Sequence, residues 1–113
     1  GAIVLVSGSP ARRCGPGQVA ISSVGGAVEA LARAVAKEIS PKRINVMSPG
    51  LIDTPMWTMQ GAEREAHYKK LTGNNLIPRP GTSEECAHGT IFLIQNDFVT
   101  GTTVDVDGGI LLS

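Results

Sequence analysis

Apolar residues cluster in three short runs that have the length and composition of β-strands. Residues 2–6 are continuously apolar and rich in β-branched side chains, which favours a strand buried on both faces of a parallel sheet. Residues 44–48 form a second apolar run, and residues 102–107 alternate between apolar and polar positions. The pattern therefore predicts three strands.

Two main helices are predicted between these strands. The first is rich in alanine and has Ser22 or Ser23 as its N-cap. Its apolar positions recur at the spacing of one helix face, namely Val24, Val28, Leu31, Val35 and Ile39. The second helix has Thr82 as its N-cap, acidic residues in its first turn, and an end near Gln95. Its apolar positions are Ala87, Ile91 and Ile94, flanked by Phe92 and Leu93.

The order of these elements predicts one α/β domain over residues 1–113. Strand, helix and strand within residues 2–48 form a βαβ unit, whose two strands are parallel. The general handedness rule places the second helix on the same face of the sheet as the first. The first strand follows Gly1 directly, which is typical of a fragment or of a processed chain.

Charge and cysteine content exclude several classes of partner. The chain carries ten basic and ten acidic residues without a long block of either sign, so it has no electrostatic footprint for nucleic acid or for an acidic membrane surface. We expect no membrane span, since no apolar segment approaches the roughly 18 residues that one requires. Cys14 and Cys86 lie far apart, with no histidine or second cysteine at metal-ligand spacing. They are interpreted as reduced thiols of a cytoplasmic protein.

The stretch Ile44 to Trp57 is the best candidate for a binding edge. Pro49 and Gly50 end the second strand, because proline lacks an N–H group and glycine tolerates unusual dihedral angles. The next residues place backbone amides and the Thr54 hydroxyl beyond the carboxyl end of that strand, where open α/β sheets bind ligands. Residues 58–76 are polar and weakly periodic, which predicts one or two short surface helices that form a mobile flap over this edge.

Three ordered motifs then suggest a family. They are NVMSPG at 45–50, RPGT at 79–82 and VDVDGG at 104–109. With the order of the elements, they resemble the carboxyl half of a short-chain dehydrogenase/reductase over essentially the whole chain. The resemblance implies an α/β fold with a partial Rossmann-like parallel sheet, whose three strands are equivalent to the last three of the family, and two main helices. The family places its last helix on the opposite face of the sheet, so the face of the second helix stays open.

The resemblance also implies a cofactor and a reaction. The family uses NAD or NADP and transfers hydride between the nicotinamide and a small carbonyl or alcohol substrate. Pro49, Gly50, Ile52 and Thr54 match the family's nicotinamide turn, where the backbone at Ile52 would bind the carboxamide and the Thr54 hydroxyl would reach the carboxamide or the pyrophosphate. A purely structural interpretation stays open, with Pro49–Gly50 as a strand terminator and Thr54 as a helix cap before Pro55.

The family's catalytic positions carry unsuitable side chains in this sequence. The tyrosine slot holds Ile21 and the lysine slot holds Gly25, and neither residue moves a proton. The serine slot falls on Gly8, with Ser9 beside it as a weak substitute that supplies a hydroxyl but no acid. The resemblance thus predicts that this chain does not catalyse ordinary hydride transfer by itself.

Other reactive side chains have simpler explanations. We interpret Tyr68 as a surface aromatic residue, both histidines as solvated, and Cys14 as a bystander thiol despite the neighbouring arginines. Asp105 and Asp107 are interpreted as polar edge residues near a subunit contact. No metal site is predicted.

Two functional hypotheses remain. In the first, the chain belongs to an NAD(P)-dependent oxidoreductase and completes a cofactor site together with a complementary amino-terminal half, which would carry the glycine-rich dinucleotide turn. In the second, it is a non-catalytic pseudoenzyme that acts as an oligomeric assembly or scaffold domain. The open edge of the strand at 2–6 and the helix face formed by Ala27, Ala30 and Ala34 would both lack neighbours, which predicts a homo-oligomer.

Overall fold

The three predicted strands form one parallel sheet. The computed structural model describes residues 1–55 and 58–113; Met56 and Trp57, at the end of the candidate binding stretch, lie outside the described residues. In chain order the elements are β1 (Ala2–Val6), α1 (Val19–Ile39), β2 (Arg43–Pro49), β3 (Ile52–Asp53), α2 (Gly61–Thr72), β4 (Gly81–Thr82), α3 (Ser83–Gln95) and β5 (Thr103–Val106). The central strand β2 is parallel to β1 on one side and to β5 on the other, which confirms the predicted fold class.

The two main helices cover opposite faces of this sheet. Ile44 and Val46 of β2 point to one face, where they form the core with Ala32 of α1. Arg43 points to the other face, where its guanidinium group donates to the carbonyl oxygen of Leu93 in α3, at 2.7 Å. The connection from β1 to β2 and the connection from β2 to β5 move in the same direction across the sheet. Because their helices α1 and α3 lie on opposite faces, the two crossovers have opposite handedness. The second helix therefore follows the family pattern, and one crossover departs from the general right-handed rule.

A second, two-stranded parallel sheet lies within the connection from β2 to α3. Ile52 of β3 pairs with Gly81 of β4, and the Gly81 N–H group donates to the carbonyl oxygen of Leu51 at 2.9 Å. The sequence did not predict this pairing, because two residues are too few to show a strand pattern.

The prediction for the start of α1 was wrong. The helix begins at Val19, with Gln18 at the cap position, so Ser22 and Ser23 lie inside it. The Gln18 side chain accepts a hydrogen bond from the Gly15 N–H group at 2.7 Å, which fixes the turn before the helix. Ser23 donates instead to the carbonyl oxygen of Val19, a bond that serine forms readily inside helices.

The buried face of α1 is also displaced from the predicted one. Gly25, Glu29 and Ala32 are the buried positions, whereas Val24 is 64% exposed and Leu31 is 49% exposed. The other predicted apolar positions, Val28, Val35 and Ile39, pack partly buried against the core. The alanine face of Ala27, Ala30 and Ala34 is exposed, as expected for a helix without a neighbour on that side. The helix thus has two apolar faces, and the sheet covers one of them.

The first strand is not buried on both faces, contrary to the prediction. It forms the edge of the three-stranded sheet, and its side chains Ile3 and Val6 are exposed. An edge strand has a neighbour on one side only, so half of its backbone ladder and part of its apolar surface stay uncovered.

The expectation about membrane spans also needs correction. Helix α1 has 21 residues, and an 18-residue window within it has a mean hydropathy of 1.4, which is long and apolar enough to cross a membrane. Helices that pack on a sheet in α/β domains satisfy the same criterion, so it decides nothing by itself. In this structure α1 packs on β2 through Ala32.

The predicted start and end of α3 are confirmed. The Thr82 hydroxyl accepts a hydrogen bond from the Glu85 N–H group at 3.1 Å, and the Glu85 carboxylate accepts one from the Thr82 N–H group at 2.9 Å. This reciprocal capping box starts the helix, which ends at Gln95. Its predicted apolar face is wrong, however, because Ile91 and Ile94 are exposed while Leu93 is fully buried.

The capping carboxylate leads to a prediction about pH. Bonds from Arg79 and then from the Thr82 N–H group lower the pKa of Glu85 to about 2, from an ordinary value of 4.5. A carboxylate whose pKa is lowered by folding contributes stability that is complete above its unfolded pKa and is lost as the pH falls through its folded pKa. The Glu85→Gln side chain can still accept the hydrogen bond from the Thr82 N–H group, but it has no carboxylate to protonate. We therefore expect urea unfolding curves between about pH 5 and about pH 2 to show a smaller loss of stability for this variant than for the wild type.

The neighbouring first-turn acid provides the control for this experiment. Glu84→Gln removes the same charge outside the capping box and should leave the acid-dependent loss of stability at this helix end unchanged. Equal effects of the two substitutions would contradict the assignment to Glu85.

Candidate functional site

The turn after β2 is fixed against the end of β5. The Gly50 N–H group donates to the carbonyl oxygen of Val106 at 2.9 Å. A Cβ atom on Gly50 would lie 2.8 Å from the Cα atom of Asp107 and 3.0 Å from its carbonyl oxygen, so only glycine fits there without displacing backbone. The predicted Pro49–Gly50 turn therefore depends on contact with a segment far away in the sequence.

Beyond this turn lies the predicted binding residue Thr54. Its side chain is half-buried, and its hydroxyl has no hydrogen-bond partner in residues 1–55 and 58–113. The helix described after it, α2, begins at Gly61 with Gln60 at its cap position, so Thr54 does not cap α2. The other predicted binding residue, Ile52, lies in β3, where it pairs with Gly81 of β4.

The serine slot lies beside the turn. Gly8 follows β1 in extended conformation, and a Cβ atom placed on it would lie 4.0 Å from the carbonyl oxygen of Pro49. Its substitute, Ser9, begins a 3₁₀ turn that ends at Ala11. The fold thus brings the serine slot and the Pro49–Gly50 turn together.

The tyrosine and lysine slots hold side chains without a titratable group. Ile21 is exposed on the first turn of α1. Gly25 is buried, and a Cβ atom on it would lie 2.9 Å from the Cβ atom of Ala11. The 3₁₀ turn after β1 therefore occupies the space into which a side chain at position 25 would extend.

This contact makes Gly25→Ala a selective probe. Alanine favours the helix by about 1 kcal/mol over glycine, but overpacking against Ala11 costs about 1–3 kcal/mol, so we expect a net loss of about 1 kcal/mol. Gly26→Ala is the matched control, because no atom lies within 4 Å of its added methyl group, and it should stabilise the chain. Urea unfolding measures both variants. Equal stabilisation by the two substitutions would contradict the contact, and Ala11→Gly should remove the cost of Gly25→Ala.

A charge network extends from the buried carboxylate of Glu29 to the surface beside the 3₁₀ turn after β1. Glu29 accepts a hydrogen bond from the Ser7 hydroxyl at 2.8 Å and pairs with Nε of Arg12 at 3.2 Å. Arg12 extends further to Asp105, and this hydrogen bond raises the pKa of the guanidinium group. The sequence pattern did not predict this network and indicated only a polar edge residue at Asp105. The sequence feature that could have indicated the network is Glu29, an acidic residue on the same face of α1 as Ala32.

The arginines beside Cys14 have other partners. Arg12 pairs with carboxylates, and Arg13 donates to the carbonyl oxygens of Ile110 and Ser113. Cys14 and Cys86 are both free thiols, and burial raises the pKa of Cys86. No group of three potential metal ligands occurs within the described part of the chain.

Comparisons with known proteins agree with this geometry. A family profile described as enoyl-(acyl carrier protein) reductase matches residues 1–111. The chain belongs to the short-chain dehydrogenase/reductase family. It is 36% identical over 115 residues to the 3-oxoacyl-[acyl-carrier-protein] reductase of Rattus norvegicus, covering 100% of this chain and 46% of the rat protein. It is 35% identical to the 3-oxoacyl-[acyl-carrier-protein] reductase FabG of Chlamydia muridarum, covering 96% of this chain and 44% of that protein.

Solved structures of short-chain dehydrogenases have the same arrangement of elements. A small-chain dehydrogenase in complex with NADPH superimposes with a TM-score of 0.91 at 35% identity, covering 100% of this chain and 52% of that one. The MalC reductase/Diels-Alderase from Malbranchea aurantiaca gives a TM-score of 0.92 at 29% identity, over 99% of this chain and 44% of that one. The chain thus spans about half the length of the relatives that it matches.

The short-chain dehydrogenases/reductases use NAD or NADP. The turn packs closely on the backbone of Asp107 at Gly50. Beyond it, Thr54 presents a hydroxyl without a partner among the described residues. A hydroxyl of this kind suits a carboxamide group, because it both donates and accepts a hydrogen bond. The Thr54 hydroxyl is therefore the described group that a nicotinamide carboxamide could bind.

Helix α2 is bound to β3 by a cluster of three side chains, Asp53, Arg64 and Tyr68. Tyr68, predicted to be a surface aromatic residue, is only 7% exposed and donates to the Asp53 carboxylate at 3.0 Å. Nε of Arg64 donates to the Tyr68 hydroxyl at 3.1 Å, and the same guanidinium group pairs with Asp53. The predicted flap is thus a single helix tied to β3. A cavity of about 510 Å³ borders this cluster.

Proposed function

We propose that this chain forms the nicotinamide end of an NAD(P) site in a short-chain oxidoreductase, completed by an amino-terminal half that carries the dinucleotide turn. The observation that carries the proposal is the junction of the serine slot with the Pro49–Gly50 turn, next to the unpartnered Thr54 hydroxyl. The coverage of about half of each relative supports a complementary half. Two free cysteines favour a reducing compartment such as the cytoplasm.

The reaction of the family would be hydride transfer between the nicotinamide and a carbonyl or alcohol substrate. A positioned acid–base group contributes a factor of about 10² to 10⁴ to such a step. Ile21 has no proton to transfer, and Ala11 closes the space beside Gly25. We therefore propose cofactor binding without tyrosine-dependent catalysis by this chain.

Nucleotide titration tests the proposal. The chain is mixed with the amino-terminal half of a short-chain dehydrogenase that contains the glycine-rich turn, and NADPH fluorescence is followed. We expect saturable binding by the complex. Thr54→Val removes one hydrogen bond at nearly constant volume and should weaken binding about threefold to tenfold. A folded complex that binds no nucleotide would overturn the proposal.

A second candidate function is that of a non-catalytic assembly domain. Exposed apolar side chains on α1, with Val24 and Leu31 beside the alanine face, and the open edge of β1 favour it. Burying such apolar surface under another chain stabilises the assembly by about 25 cal/mol per Å². We expect a homo-oligomer, and a strictly monomeric species in sedimentation at micromolar concentration would count against this function.

A further inference from the structure

Helix α2 has little apolar contact with the rest of the chain. All twelve residues of α2 are described, and of these Tyr68 and Thr72 are the buried ones. The Thr72 hydroxyl donates to the Tyr68 carbonyl oxygen at 2.7 Å, a bond within the helix that adds nothing to its attachment. Leu71, the other large apolar side chain of α2, is 42% exposed. The attachment of α2 therefore depends mainly on the side chain of Tyr68.

The hydroxyl of Tyr68 lies at the end of β3. It donates to Oδ1 of Asp53 at 3.0 Å and accepts from Nε of Arg64 at 3.1 Å. The Arg64 guanidinium group also pairs with Asp53, and its carbon atom lies 5.3 Å from the centroid of the Tyr68 ring. Arg64 and Tyr68 are four residues apart on α2, so their side chains lie on one face of the helix. Two side chains of α2 thus hold one carboxylate of β3, through hydrogen bonds that its charge strengthens.

The carboxylate that they hold belongs to the residue before Thr54. Asp53 is the last residue of β3, whose backbone is fixed by its pairing with β4. Thr54 is therefore the first residue beyond this small sheet, in a segment that ends where α2 begins at Gly61. The sheet fixes one end of this segment and the attached helix fixes the other. The position of the Thr54 hydroxyl consequently depends on both.

We infer that Tyr68 is a positioning residue for the cofactor end of this chain. Through Asp53 it holds the segment that presents the Thr54 hydroxyl, and it does so without touching the ligand itself. This role rests on the proposed function, because the ligand of Thr54 is there the nicotinamide end of NAD(P). The attachment of α2 and the binding of ligand at Thr54 then stabilise each other by the same factor, as thermodynamic linkage requires.

Amide hydrogen exchange of the 113-residue chain tests this role without any nucleotide. Tyr68→Phe keeps the ring but removes the hydroxyl, so we expect the amides of residues 61–72 to exchange about tenfold faster. The amides of α1 and α3 should keep their rates in the same spectra. The Thr54 amide signal should also shift in the ¹⁵N–¹H spectrum of this variant. Unchanged exchange in α2, or an unshifted Thr54 signal, would overturn the role of Tyr68.

Glu65 provides the matched control on the same helix. Its exposed side chain borders the same cavity of about 510 Å³ as Tyr68, and it forms no hydrogen bond or ion pair with any described residue. Glu65→Gln should therefore change the exchange rates in α2 by less than about twofold. Equal effects of Glu65→Gln and Tyr68→Phe would show that α2 responds to any substitution, which would also overturn the role.

NADPH titration of the complex with the amino-terminal half tests the consequence for the cofactor site. Tyr68→Phe and Asp53→Ala should each weaken binding about threefold to tenfold. In the Asp53→Ala chain, Tyr68→Phe should have no further effect, because the hydroxyl has already lost the carboxylate through which it acts. A general loss of stability would instead add to the effect of Asp53→Ala, and additive effects would overturn the role. If Asp53→Ala does not fold, Tyr68→Phe compared with Glu65→Gln decides the question.

The two measurements separate this role from the proposed function. A wild-type complex that binds no nucleotide would overturn the NAD(P) role, while hydrogen exchange in α2 and the Thr54 signal would still decide whether Tyr68 holds the segment. Wild-type binding of NADPH that Tyr68→Phe leaves unchanged would overturn the role of Tyr68 alone.

Discussion

Gly50→Ala is expected to lower the free energy of unfolding by about 3 kcal/mol, at the upper end of the usual cost of overpacking. The added methyl group would lie 2.8 Å from the Cα atom and 3.0 Å from the carbonyl oxygen of Asp107. These are backbone atoms at the end of β5, so no side-chain rotation relieves the contact. Urea unfolding followed by circular dichroism measures the change.

Gly8→Ala is the control, because Gly8 lies on the other side of the same turn. Its added methyl group would lie 3.5 Å from Cδ of Pro10, an ordinary contact, and its extended backbone accepts any residue. We expect a change within about 0.5 kcal/mol. Similar effects of both substitutions would contradict the close approach of Gly50 to Asp107. In the reconstituted complex, Gly50→Ala should also weaken NADPH binding, because it displaces the turn that carries Thr54.

Arg43→Met is expected to destabilise the chain by about 3 kcal/mol or more. The guanidinium group is buried and donates to three carbonyl oxygens, those of Leu93 at 2.7 Å, Ile94 at 2.6 Å and Val99 at 3.1 Å. Methionine keeps the length of the side chain but removes the donor from the carbonyl oxygens of Leu93 and Ile94 at the end of α3. The Val99 carbonyl oxygen still accepts from the Asn45 side-chain amide at 2.9 Å. Chemical denaturation monitored by circular dichroism provides the measurement.

Two further variants separate the causes of this effect. Asp97→Asn removes the negative partner of Arg43 at 3.8 Å, but the Asp97 side chain is 99% exposed, so we expect no measurable change. Arg43→Lys keeps the charge without the planar set of donors and should recover only part of the stability. Full recovery by lysine would mean that charge alone, rather than the bonds to the three carbonyl oxygens, stabilises this end of α3.

Local features were predicted most accurately. The capping box at Thr82 and Glu85 lies within four residues, so its residue types and spacing suffice to identify it. The cap of α1 was mistaken because Gln18, an unusual cap residue, is held by a bond from Gly15, while two serines nearby matched the usual preference. Competing local signals of this kind are resolved by the turn that precedes the helix.

Burial was predicted less well, for a physical reason. Periodicity shows that a helix has an apolar face, but Val24, Leu31, Ile91 and Ile94 are exposed although they follow the pattern. The chain spans about half the length of its relatives, so an apolar helix face can lack a packing partner within this chain and stay exposed. The same applies to β1, whose composition suits a central strand and which lies at the edge.

Residue types close together in the chain were enough to predict the parallel α/β fold, the family, and the turn at Pro49 and Gly50. Which faces are covered, and that α3 packs opposite α1, follow instead from contacts across the sheet. It also decided why Gly50 must be glycine, through Asp107, and why position 25 has no space for a side chain, through Ala11. These contacts join residues that no local pattern relates.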